Sequence, residues 1–417
     1  MTRVACLCEF PTLLGGERSL LATLATLRQR GYEPVALAPG EGPLAAALSA
    51  AGVEIANFTS RDATGRRAAL PVLRERLAEQ LTRLQPSLLH ANSLSMGRLS
   101  GPVAAAAGLP SIAHLRDIVR VSRVAAADLN QHTRLLAVSQ ATAAFHRRQG
   151  IAAERLRVVY NGVDLVQFAP HAPTGALHTE LSLPREARLI GTIGQWILRK
   201  GLDVLARAAA EIGPRHPDWH WVLVGARHSQ KEETVRYEAQ VLETFRQAGL
   251  GQRLHVLGTR DDVAALLNEF DLVVHPARQE PLGRVLLEAA AAGRAIVASD
   301  VGGTREIFSV AAGAAESDSA ELSAAGVCFT ESSVAEPGSA ESSPPACGTA
   351  VLVPPDDAAA LAMAIARLMD DAPLRAQTAA AARRRVEAAF DIRWAAARLA
   401  DEYDGAIAEG TSVTRRG

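Results

Sequence analysis

The stretch from Asp271 to Thr304 is the strongest constraint on what this chain can build. Asp271-Leu-Val-Val-His275 is an apolar run of strand length closed by Pro276, and Arg284 to Ala292 has the composition of a helix. Ala295-Ile-Val-Ala-Ser299 is a second strand, and the loop Asp300-Val-Gly-Gly-Thr304 follows it. A strand that passes into a helix through a glycine leaves free backbone N–H groups and the positive end of the helix dipole at the crevice where open α/β sheets take ligands. Gly283 lets a phosphate come close. Glu288, on the helix, can accept hydrogen bonds from both hydroxyls of a ribose, and Glu280, in the turn, can reach a second polyol. The same pattern also suits a plain amphipathic helix carrying two solvated glutamates.

Two glutamates separated by seven residues, with Gly283 between them and a Val-Gly-Gly loop after the next strand, resemble the nucleotide-sugar site of retaining glycosyltransferases of family 4. That resemblance implies a GT-B fold, an α/β architecture of two Rossmann-like domains with parallel sheets facing a central cleft. It places Leu282, Gly283, Arg284 and Glu288 in the donor site.

At 417 residues the chain suits two domains. The expected division is an N-terminal domain over 1–168, which the resemblance makes the acceptor domain, a linker over 169–187 rich in His, Pro, Thr and Ala, and a nucleotide-sugar domain over 188–390. The resemblance implies that a last helix, 391–417, crosses back onto the first domain. The net charge of −1 hides an asymmetry of +7 over residues 1–168 against −8 in the remainder. A basic first half favours an anionic acceptor or an anionic membrane surface, and scattered solvated arginines give the same count. No run reaches the length of a spanning helix and Met1 to Phe10 is too short for a signal peptide, so the reading is cytoplasmic, with a peripheral membrane contact left open. Cys6, Cys8, Cys328 and Cys347 show no metal-ligand spacing and read as reduced thiols.

In the first half, Arg3 to Cys8 reads as a strand, followed by Gly15-Gly16 and a helix from about Ser19 to Arg30. Backbone exposed at that glycine pair suits donor phosphate or acceptor contact, and it also suits a turn. Arg61 to Arg83 is arginine-rich with Leu70, Leu73, Leu77, Leu81 and Leu84 at helical spacing. The pattern fits a membrane-facing amphipathic helix or one covering a sheet. Ser87-Leu-Leu-His90 and Pro110-Ser-Ile-Ala-His114 end two strands in histidine, where the switch-point rule puts functional groups. The resemblance places His114 beside the donor sugar; a structural strand-end histidine is the other reading. Ser139 follows a further strand and can cap the next helix.

In the second half, Arg188 to Ile193 is a strand, and Gly194-Gln-Trp-Ile-Leu-Arg-Lys-Gly201 leads into a helix. Lys200 is one of only two lysines among 44 cationic residues. A fixed ammonium at a helix start can stabilise the charge that grows on a departing nucleoside diphosphate. The family usually carries an arginine after the loop glycine, where this chain has Gln195, so either Arg199 substitutes or the diphosphate clamp is one charge short. Residues 309–347, with six acidic residues and no Lys or Arg, read as a low-complexity insertion that is disordered or forms a flexible surface lobe, with a lid over the acceptor cleft as the other reading.

The implied reaction moves a hexose-type sugar from a nucleoside diphosphate donor to a hydroxyl of a carbohydrate or lipid-linked acceptor, with retained configuration, in cell-surface polysaccharide or glycolipid synthesis. Lys200, Glu280 and His114 are its expected catalytic residues. Gly15, Gly16, Gln195, Arg199, Leu282, Gly283, Arg284 and Glu288 are its expected donor contacts. No Asp-x-Asp pair stands at a strand end, and neither metal, cofactor nor nucleic acid is expected. A nucleotide-sugar epimerase and a catalytically weakened nucleotide-sugar-binding protein are the competing readings. A nicotinamide dehydrogenase is disfavoured, because neither domain opens with Gly-x-Gly-x-x-Gly.

Overall fold

The computed structural model describes residues 1–62, 65–309 and 348–414. Cys328, Cys347 and the expected insertion beyond Ser309 lie outside the described residues. The chain divides into two units, one of Met1–Gly162 with the chain from Phe390 onward, the other Val163–Ala389.

Among the described residues the first unit holds a seven-stranded sheet of β1 (Thr2–Leu7), β2 (Tyr32–Ala38), β3 (Glu54–Asn57), β4 (Leu88–Ala91), β5 (Ser111–Leu115), β6 (Arg134–Ala137) and β7 (Leu156–Val158). The order is β3-β2-β1-β4-β5-β6-β7 and the pairings are parallel. Parallel strands need covering helices on both faces, which is why these strands read as nearly continuous apolar runs. β1 shows the division: Ala5 and Leu7 enter one core with Leu73, Leu77 and Leu81, whereas Val4 and Cys6 enter the other with Leu20, Leu24, Leu399 and Tyr403. Cys6 and Cys8 are buried free thiols, and burial pushes Cys6 up to about 12. Ser139 accepts from Thr142 N at 3.0 Å and caps the helix Gln140–Arg148.

The arginine-rich segment is helical only over Leu70–Leu84. Ahead of it, Arg61 and Arg67 form an isolated antiparallel bridge, and Arg67 reaches Glu9 at 2.5 Å. Leu73, Leu77, Leu81 and Leu84 are buried in the sheet's core, so the apolar face of this helix covers the sheet and is not free to enter a membrane. Leu77→Ala is therefore expected to destabilise the protein by about 2–5 kcal/mol, read as a lower urea midpoint. Among the described residues no helix is long and apolar enough to cross a membrane.

The C-terminal helix Ile392–Thr414 packs within the first unit. Tyr403 meets His90 Nδ1 at 2.8 Å, and Arg134 binds Glu402 at 2.6 Å.

The second unit holds a six-stranded parallel sheet of β8 (Arg188–Ile193), β9 (Trp219–Val224), β10 (Leu254–Gly258), β11 (Leu272–His275), β12 (Ala295–Ser299) and β13 (Val351–Val353), ordered β10-β9-β8-β11-β12-β13 among the described residues. The stretch read as a linker contains a short helix, Ala176–Glu180. It is tied to this unit because the Glu269 carboxylate accepts from Thr174 N, Thr174 Oγ1 and Gly175 N at 2.8, 2.6 and 3.1 Å.

Candidate functional site

In the second sheet the chain runs outward from β8 to β9 and β10, then returns to the other side of β8 to begin β11. The loops leaving β8 and β11 therefore diverge at a topological switch point, where open α/β sheets form their ligand crevice. The β8 loop carries Lys200 and the β11 loop carries Glu280.

These two residues, eighty positions apart, meet: Lys200 Nζ lies 2.5 Å from Glu280 Oε2. His275, the last residue of β11, places Nε2 at 2.8 Å from the same oxygen. Glu280 is 7 % exposed and His275 is buried. Burial alone would push the Glu280 carboxyl up; the Lys200 ammonium and the His275 hydrogen bond outweigh it and hold the group well below the usual carboxylate range. Burial, then the nearby Lys200 charge, keeps His275 below its ordinary value. The arrangement is thus an ionised glutamate held between an ammonium and a neutral imidazole that donates its Nε2–H.

Backbone shape brings the two loops together. Gly201 adopts φ +68°, and a Cβ there would lie 1.9 Å from the Pro276 carbonyl oxygen. Gly283, at φ +101°, precedes the helix Arg284–Ala291. Glu280 O accepts from Gly303 N at 3.0 Å, which draws the Val301–Thr304 loop to the same place. Glu288 is buried on that helix and pairs with Arg284 at 2.6 Å. Leu282 is buried, so its side chain serves the interior. Gln195 and Arg199 are partly buried on the β8 loop. The Arg199 charge is close enough to contribute to the lowering of His275, and no hydrogen bond or ion pair of its guanidinium is found among the described residues.

Gly15, Gly16 and His114 belong to the first unit. Its switch point lies between β1 and β4, and the helix Gly15–Gln29 begins there. Asn92 donates to Gly16 O at 3.1 Å, and the Arg116 guanidinium donates to Asn92 O, Asn92 Oδ1 and Asn161 Oδ1 at 3.0, 2.9 and 2.9 Å. His114 is buried, with Nδ1 2.7 Å from His90 Nε2 and 3.3 Å from Arg116. Burial, helped by the Arg116 charge, keeps it neutral. His114, Arg116, Asn161, Ser19 and Thr23 line a cavity of about 20 Å³.

The structure therefore brings Lys200 to Glu280 at the carboxyl ends of the central strands β8 and β11, with Gly283, Arg284 and Glu288 on the loop and helix that follow β11, and it places Gly15, Gly16 and His114 in another unit. The sequence reading passed over His275, although the rule that singled out His114, a histidine closing a strand, applies to it equally. It also passed over Arg278, whose partners are distant in sequence.

Residues 14–167 match the family described as Glycosyltransferase Family 4, and residues 187–332 match the family described as Glycosyl transferases group 1. Among curated proteins, the chain is 33% identical over 149 residues to a lipopolysaccharide core biosynthesis mannosyltransferase, LpcC, of Rhizobium leguminosarum bv. viciae, covering 36% of this chain and 41% of that protein. It is 34% identical over 160 residues to a D-inositol 3-phosphate glycosyltransferase of Salinispora tropica, covering 36% of this chain and 33% of that one. The matched part thus spans less than half the length of these relatives. Among solved structures, Anabaena Alr3699/HepE in complex with UDP and glucose has a TM-score of 0.78 at 22% identity, over 97% of this chain and 100% of that one. WaaG, a glycosyltransferase involved in lipopolysaccharide biosynthesis, has a TM-score of 0.66 at 18% identity, over 96% and 98%. At these identities the likeness is one of GT-B fold.

Proposed function

Because the chain belongs to the glycosyltransferases, with a family 4 domain followed by a group 1 domain, we propose that it transfers a hexose-type sugar from a nucleoside diphosphate donor to a hydroxyl acceptor with retained configuration. The observation that carries this reading is the Lys200–Glu280 pair at the switch point of the second sheet. As the bond between the anomeric carbon and the diphosphate oxygen breaks, its electron pair leaves with the diphosphate. The Lys200 ammonium, at the start of the helix Leu202–Ile212, stabilises that charge. The acceptor oxygen bonds to the anomeric carbon and releases its proton to the departing diphosphate. Glu280, kept ionised, accepts hydrogen bonds from sugar hydroxyls, and Glu288 from the ribose once the donor displaces part of its contact with Arg284. Gln195 leaves the diphosphate clamp to Lys200 and Arg199.

The lipopolysaccharide core relatives favour a carbohydrate or lipid-linked acceptor in cell-surface polysaccharide or glycolipid assembly. Contact with an anionic membrane would then run through exposed arginines of the first unit. The HepE complexes make UDP-sugars the first donors to try.

The test is a panel of UDP-, GDP- and ADP-sugars, following thermal stabilisation and nucleoside diphosphate release. One donor is expected to stabilise the protein and to be turned over, with Lys200→Ala and Glu288→Ala each lowering release by about tenfold or more. Stabilisation without release across acceptors would favour a binding protein, and donor isomerisation without transfer would favour an epimerase. Indifference of both variants would sink the site.

A further inference from the structure

We infer that Arg278 is a positioning residue, which holds the turn Leu198–Lys200, and with it the Lys200 ammonium, against the Glu280 carboxylate. The inference rests on the reading of Lys200 as the cation for the donor diphosphate.

The turn that carries Lys200 has little of its own to fix it. It is a single 3₁₀ turn, and Leu198 is 61 % exposed, so no apolar side chain anchors it at that position. Within itself it closes through Lys200 N to Ile197 O at 2.9 Å and Gly201 N to Leu198 O at 3.1 Å, and further ties to its carbonyls come from the neighbouring loop. Arg278 donates its backbone N–H to Arg199 O at 2.8 Å and Nη1 to Leu198 O at 2.7 Å. The same guanidinium forks onto both carboxylate oxygens of Asp203, in the first turn of the following helix, at 2.8 and 2.7 Å. Its Nε reaches Asp356 Oδ1 at 2.5 Å, and Tyr237 donates to Asp203 Oδ1 at 2.9 Å. One side chain thus joins the β11 loop, the Lys200 turn, the next helix and the loop after β13.

The guanidinium charge is matched by two carboxylates, so Arg278 is not a cation on offer to a phosphate. Its position two residues before Glu280 means that whatever fixes the Lys200 turn also fixes the distance to Glu280. Lysine keeps the charge but lacks the planar fork needed to serve Asp203, Asp356 and Leu198 O together.

The experiment is a double-mutant cycle in the full chain, with affinity for the nucleoside diphosphate of the active donor measured by calorimetry alongside kcat and KM. Arg278→Lys is expected to weaken diphosphate binding and lower kcat by about tenfold, and to add almost nothing in a Lys200→Ala background, because both changes remove the same interaction. Additive losses, or an Arg278→Lys protein that binds and turns over like wild type, would overturn the inference. If Arg278→Lys does not fold, Asp356→Asn serves instead. It removes one exposed partner of the guanidinium and is expected to weaken diphosphate binding by about twofold to fivefold, again only when Lys200 is present; the same loss in both backgrounds counts against the inference. Unchanged binding in Lys200→Ala alone would instead defeat the reading of the site, and the inference with it.

Discussion

Replacing Lys200 by alanine is expected to lower turnover by about 10²–10³-fold, the usual cost of losing one fixed stabiliser of transition-state charge. The same change is expected to destabilise the fold, because it strands a buried carboxylate. Glu280 owes its ionised state to Lys200 and His275; without the ammonium, burial is opposed by the imidazole hydrogen bond alone. Removing one partner of a buried pair typically costs about 3–5 kcal/mol. The pH dependence follows from the direction of the shift. In the wild type the folded carboxyl lies below its unfolded value of about 4.3, so the pair's contribution is present above that pH and fades as the pH falls through the folded value. In Lys200→Ala the carboxyl rises, and the deficit is largest at neutral pH and shrinks on acidification towards the carboxylate range. Urea unfolding at pH 7.5 and pH 5 checks this. Lys200→Ala/Glu280→Gln, measured beside Glu280→Gln alone, separates the two roles: it should regain much of the lost stability at neutral pH while its turnover stays well below that of Glu280→Gln. Recovery of turnover would mean that Lys200 only neutralises Glu280.

The parts of the structure that sequence resolves best are those set by local chemistry. β8 and β12 fall on the residues their apolar runs predict, and Gly283 marks the helix that begins at Arg284. The parallel sheets follow from strands alternating with amphipathic helices. The arginine-rich segment shows the limit: leucine spacing identified the helix over 70–84 but could not choose its partner, which the buried core decided in favour of the sheet. The site shows the same limit. Lys200 stood out by its rarity, and Glu280 and Glu288 by their spacing, yet nothing local says that Lys200 and Glu280 touch. That contact exists because β8 and β11 are neighbours while β9 and β10 lie between them in sequence. Arg278 was invisible for the same reason, since Asp203 and Asp356 are 75 and 78 residues away.

Gly201→Ala is the second large effect expected, and it links the fold to the site. Alanine at φ +68° costs about 1–2 kcal/mol of backbone strain. The Cβ itself costs more, because it would lie 1.9 Å from Pro276 O. A carbonyl oxygen in the turn after β11 cannot swing aside as a side-chain tip can, so the β8 and β11 loops must part. The combined loss should reach on the order of 3 kcal/mol or more, read as a lower urea midpoint. Lys200 adjoins Gly201 and Glu280 follows Pro276 by four residues, so the loops cannot separate without lengthening the Lys200–Glu280 contact. A misplacement of about 1 Å can cost about 10²-fold in rate. Gly283→Ala is the comparison: it also sits at positive φ, but its Cβ would meet the end of the flexible Leu286 side chain at 2.7 Å. That neighbour is a side-chain tip at a longer distance and not a backbone carbonyl, so the loss should be smaller than at Gly201. If Gly201→Ala keeps both the stability and the donor affinity of the wild type, the close approach of the two loops is not what positions Lys200.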